Sequence, residues 1–183
     1  MASVSPAPAS TDRLAEASRS LDSVEMFLGQ QRLWLSAAID ARKDGHPVEC
    51  IYLCLQQWHV LLRKGLWLTA QRQTLQTGKK LEDDFLFQML THPSDLLPTN
   101  VPDRELYAAA EKHGFITSAE NREMTTLYRQ TTMLMRQVFT LPLPEGKKQL
   151  DGLADDLLRF STSILTKLDG LLAECRRSLT ALA

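Results

Sequence analysis

The sequence predicts an all-α fold, an elongated antiparallel four-helix bundle with a short two-helix insertion between the second and third long helices. Three observations predict it. Apolar residues recur every three or four positions over long stretches, no stretch alternates with the period of a strand, and glycine or proline interrupts the pattern at the places where helices would end. The 183 residues suit one domain, and 44% hydrophobic content supplies a core for it. Residues 1–10, rich in Ala, Ser and Pro, are expected to be a disordered tail, and 11–183 a single helical domain.

The first helix is expected after Ser10-Thr11-Asp12, with a face of Leu14, Ala17, Leu21, Val24, Leu28, Leu35 and Ala38 and an end near Arg42 and Lys43, before Gly45 and Pro47. Pro47 opens the second, because proline suits a first turn where the amide has no partner. Its face runs Ile51, Cys54, Leu55, Trp58, Leu62 and Leu66, while Tyr52, Leu61, Trp67 and Leu68 lie off it. A helix apolar over so much of its circumference is either central or turned to a second surface.

From Leu81 to Gly114 the pattern breaks into a short apolar cluster (Phe85, Leu86, Met89, Leu90), a proline-rich loop, and a short helix from Asp103 to His113. Thr117 with Glu120 forms a capping box that opens the next long helix, with Met124, Leu127, Thr131, Leu134 and Val138 on its face. Prolines 142 and 144 end it. The last helix carries Leu150, Leu153, Leu157, Phe160, Ile164, Leu168, Leu171, Cys175, Leu179 and Leu182, a regular bundle seam. Four helices of roughly 25–35 residues follow from this pattern, each about 40–50 Å long.

Composition excludes several functions. With 21 basic against 22 acidic side chains, no global field draws the chain to nucleic acid or anionic lipid. The most apolar stretch, Ile51–Leu55, is far short of the ~20 residues that cross a bilayer, so no membrane partner is expected. Three cysteines give an odd count with no disulfide framework, which points to a reducing, cytoplasmic setting.

No His-Glu-x-x-His, Gly-x-Ser-x-Gly, dinucleotide or phosphate-loop motif occurs, and Gly78-Lys79-Lys80 lacks the upstream glycine a phosphate loop needs. Glu111-Lys112-His113 has the wrong spacing for a di-iron bundle. His46, Cys50 and Cys54 step by four and share a face, as zinc ligands would, yet cysteines in so apolar a helix are more simply core. No catalytic residue, metal or cofactor is therefore expected.

Binding residues are easier to nominate. On the second helix, His59 beside Trp58 lies near Arg63 and Lys64, and Trp67 adds apolar area. Met124, Met133 and Met135 supply side chains suited to interfaces, so a protein partner, either a second copy or a larger subunit, is expected. Arg122, Arg129 and Arg136 step by seven along one helix beside its apolar seam, where they either grip the phosphates of nucleic acid or form a salt-bridged flank. Glu82, Asp83 and Asp84 fit a helix N-terminus, and His92 and His113 fit helix ends.

The apolar helix Val48–Thr69, the segment Leu106-Tyr107-Ala108-Ala109-Ala110-Glu111-Lys112-His113-Gly114-Phe115-Ile116, and the helix around Leu127-Tyr128-Arg129-Gln130 together resemble the HEPN superfamily. That superfamily includes the small helical partners of minimal nucleotidyltransferases. Ribonuclease members carry Arg-x(4–6)-His, whereas no histidine follows Arg129 before Arg136, and Arg104 to His113 is too widely spaced. The resemblance covers about half the chain. It implies a non-catalytic accessory protein, or an RNA- or nucleotide-binding toxin or defence component.

Overall fold

The computed structural model describes residues 11–78, 103–137, 140 and 142–182. The expected tail at 1–10, Lys79 and Lys80, the acidic run at 82–84, the apolar cluster at 85–90, His92 and Val138 lie outside the described residues. The chain is all-α, and no strand occurs among the described residues. Five helices are described: α1 (Thr11–Lys43), α2 (Pro47–Thr77), α3 (Asp103–Lys112), α4 (Ser118–Gln137) and α5 (Leu143–Leu182).

Local chemistry sets the ends. Gly45 takes φ 80° after α1, and the His46 amide donates to the Ala41 carbonyl at 2.8 Å, closing the last turn. Pro47 occupies the first turn of α2, which stops at left-handed Gly78 with its amide on the Thr74 carbonyl. The capping box before α4 forms in both directions: the Thr117 amide donates to Glu120 Oε2 at 2.7 Å and the Glu120 amide to Thr117 Oγ1 at 3.2 Å. Pro144 does not lie outside a helix, as a terminator would. It sits in the first turn of α5, where no intrahelical partner for its missing amide is needed, and the amides of Glu145 and Gly146 bond the Pro142 carbonyl.

α1, α2 and α5 pack against one another around a continuous core, α3 rests on α2, and α4 lies along α5 and touches α3. Cross-links along the helices give their directions. Arg32 reaches Asp169, Arg42 reaches Asp155 and Arg176 reaches Asp22, so α1 and α5 run antiparallel. Glu123 pairs with Arg159 and Glu120 with Lys167, so α4 also opposes α5. Trp58 bonds Ser161, Cys175 bonds Leu68 and Arg72 bonds Glu174, so α2 and α5, the two most closely packed helices, run parallel. Parallel neighbours require a long return path, and α4 provides much of it. The long helices are also less uniform than their sequence pattern suggests, from 20 residues in α4 to 40 in α5.

Trp58 occupies the centre. Only 2% exposed, it donates from Nε1 to Ser161 Oγ at 2.9 Å and tilts against Phe160 with ring centroids 5.1 Å apart. Gly65 on α2 is equally constrained: Phe115, carried in by the turn after α3, lies so near that a Cβ at Gly65 would come within 2.5 Å of Cδ1 and nearer still to Cε1 and Cζ. The side chain that is missing is what lets α3 and its turn seat on α2.

Candidate functional site: exposed faces of α1 and α4

The residues nominated from the sequence separate into three environments. Trp58 is core, which is a correction to its place among surface anchors: α2 is surrounded by α1, α5 and α3, and its surplus apolar area meets those helices. Trp67 is half-buried and packs on the same core. His59, Arg63 and Lys64 are also half-buried, and the Lys64 ammonium stands 5.2 Å from the centroid of the Phe27 ring on α1, a cation–π contact that ties the two helices. That contact places Lys64 in the seam between α1 and α2.

Arg122, Arg129 and Arg136 are all exposed on α4. At about 100° per residue they lie on the side opposite the buried Met124, Leu127, Thr131 and Leu134, not beside that seam. Among the described residues none of the three forms a salt bridge, although the charge of Arg122 helps hold Glu111 below the usual carboxylate range, after hydrogen bonds from Asn121 and Ser118. The salt-bridged flank is instead carried by Glu123 and Glu120, which pair with Arg159 and Lys167. Tyr128 and Met133 flank the arginine stripe and are 44% and 60% exposed. A shallow, open groove of about 360 Å³ beside it, between α4 and α5, is lined by Gln130, Met133, Gln137, Lys148, Gly152 and Asp156.

The cysteines are removed from solvent. Cys50 and Cys54 are fully buried one helical turn apart, and the Cys54 thiol is pushed well above the ordinary range by its neighbour Cys50 and by burial. Cys175 is raised to about 11, chiefly by burial. His46 projects from the turn before α2, with Nδ1 3.5 Å from Glu49, and does not join the two sulfurs. Among the described residues no group of three or more His, Cys, Asp or Glu side chains gathers as a metal site would, and no helix is long and apolar enough to cross a membrane.

One surface was not anticipated. The face of α1 turned away from α2 and α5 carries Met26 and Leu33, 70% and 72% exposed, with Gln30 and Ala37 between and beyond them; Trp34, 50% exposed, lies at its edge one heptad after Phe27. These positions follow a second helical stripe, i, i+4, i+7, i+8 and i+11, so α1 is apolar on two sides. The signal is the spacing of Met26, Leu33 and Trp34, which falls outside the regular inner seam. The charges along the α1–α5 edge are satisfied internally: Asp22 and Glu25 meet Arg176, Arg32 meets Asp169, and Arg42 meets Asp151 and Asp155.

Comparison with protein families, with curated proteins and with solved structures gave no match to this chain.

Proposed function

We propose that the chain is a helical interaction protein that acts by binding a protein partner through the outer face of α1. The observation that carries this reading is the grouping of Met26, Leu33 and Trp34, three large apolar side chains at least half exposed on one helix. Scattered exposed apolar residues are ordinary, whereas a stripe of them edged by an aromatic has the make-up of an interface core. In this reading α1, α2, α4 and α5 form the bundle scaffold and residues 81–114 an insertion on it. A photo-crosslinking side chain at Leu33, compared with one at exposed Thr162 on α5, tests the proposal. A protein adduct specific to position 33 and suppressed by Trp34→Ala is expected; labelling that is absent or equal at both positions overturns it.

A second reading is favoured by a separate observation. The arginine stripe of α4 lies at the middle of that helix's solvent side, without ion pairs among the described residues and beside exposed Tyr128. Successive arginines are about 10.5 Å apart at 1.5 Å per residue, and together with an aromatic they suit a phosphate backbone and a stacked base. This is the RNA or nucleotide binding that a HEPN-like relationship implies. Salt-sensitive RNA binding lost in Arg129→Ala/Arg136→Ala would support it, and absence of binding at low salt would remove it.

A further inference from the structure

We infer that the partner of the α1 face is a second copy of this chain, packed antiparallel through α1 across a two-fold axis between Gly29 and Gln30. This rests on the protein-binding reading above and adds the identity and register of the partner. A two-fold interface must be complementary to itself, so whatever lies at one end of the patch has to match the other end. The outer face of α1 meets that condition. Arg19 stands toward its N-terminal end and Asp40 and Asp44 toward its C-terminal end, all exposed. Arg19 and Asp44 form no salt bridge among the described residues, and Asp40 has only Lys43, at 3.5 Å, on its own helix. Asp22, Glu25, Arg32 and Arg42, along the edge that faces α5, already pair with it.

One register satisfies both chemistries. Antiparallel helices that place Met26 of one copy level with Leu33 of the other also place Arg19 level with Asp40, since each pair spans the same midpoint. In that register Trp34 comes within about two residues' rise of the other copy's Phe27, on the same flank of the helix pair. A parallel pairing would set Arg19 against Arg19 and Asp40 against Asp40, which like-charge repulsion disfavours. Met26 meeting Leu33, twice over, supplies the apolar centre, and the two Arg19–Asp40 pairs supply the rim.

Sedimentation equilibrium of the full chain, over a range of concentration and salt, tests the inference together with two kinds of variant. The wild-type chain should dimerise, more weakly at high salt. Arg19→Glu and Asp40→Arg should each raise the dimer dissociation constant by about tenfold, and the double variant Arg19→Glu/Asp40→Arg should recover most of that loss. Gln30→Cys should give an intermolecular disulfide under mild oxidation, against a background kept low because the three native cysteines are buried. A chain that stays monomeric at the highest concentration overturns the inference, as does a dimer indifferent to all these changes. A crosslink from position 33 to a different protein also overturns it while leaving the protein-binding reading intact; no crosslink at all removes both.

Discussion

Replacing Gly65 by alanine should destabilise the protein, although alanine is the better helix former. Helix propensity alone would favour Gly65→Ala by about 1 kcal/mol. Against that, the new methyl would fall within 2.5 Å of Phe115 Cδ1 and nearer two further ring atoms. Contacts this close are repulsive, and the obstacle is the side of a rigid ring that is itself 2% exposed, not the free end of a flexible chain. Overpacking of this kind costs about 1–3 kcal/mol, and a ring forced out of the core would add about 1.5–3 kcal/mol of lost burial. With the ring displaced, the net expectation after the propensity gain is a loss of about 1.5–5 kcal/mol, read as a lower urea midpoint with an unchanged slope. Gly170→Ala is the control: no atom lies within 4 Å of its would-be Cβ, so the same substitution on α5 should raise stability by up to about 1 kcal/mol. Phe115→Leu combined with Gly65→Ala should lose less than the sum of the two. A Gly65→Ala chain as stable as the wild type would refute the view that this glycine seats α3 on α2.

Ser161→Ala should cost about 1–3 kcal/mol, because it leaves the buried Trp58 N–H without its acceptor; the denaturation midpoint measures it. Burial acts to raise the Glu120 carboxyl, but Lys167 and the amide and hydroxyl of Thr117 outweigh it and hold the group below its usual value near 4.5. Its folded pKa is thus lower than its unfolded one, so its contribution, about 1 kcal/mol with Lys167, is present above that usual value and lost as pH falls through the folded one. Glu120→Gln should therefore flatten the acid limb of a stability–pH curve. Arg129→Ala/Arg136→Ala should change thermal stability by no more than about 0.5 kcal/mol, since neither side chain is buried or paired among the described residues. Emission from Trp34 should shift to the blue with rising protein concentration if α1 pairs, and a Trp34→Phe chain should lose that shift while keeping the signal of buried Trp58.

Helix ends were legible in the sequence because they are decided locally: Pro47, Gly78 and the Thr117–Glu120 box each act within one turn. Inner seams were legible too, as in α5, where Leu150 to Cys175 is buried at nearly every seam position. What periodicity does not carry is which helix covers which. Trp58 and Leu68 look like surplus surface on α2 until α2 is known to be enclosed on three sides. The same step works in reverse for α1, whose second apolar stripe stays uncovered, and for α4, whose arginines stand opposite its buried face. The Gly65–Phe115 contact was similarly invisible, because its partners are 50 positions apart and neither belongs to a periodic pattern.

The parallel placement of α2 against α5 also bears on how the chain reaches its native state. The bonds that join this pair, Trp58 to Ser161, Arg72 to Glu174 and Leu68 to Cys175, link residues more than 100 positions apart. α1 and α2, by contrast, are joined by a turn of three residues and can meet as soon as both are made. On a ribosome, the α1–α2 hairpin would therefore wait with the face of Trp58 open until α5, the last of the described helices, arrives to cover it. Closure over that distance slows folding relative to bundles built only from adjacent hairpins, and it makes the late arrival of α5 the step at which nascent chains are most prone to aggregate.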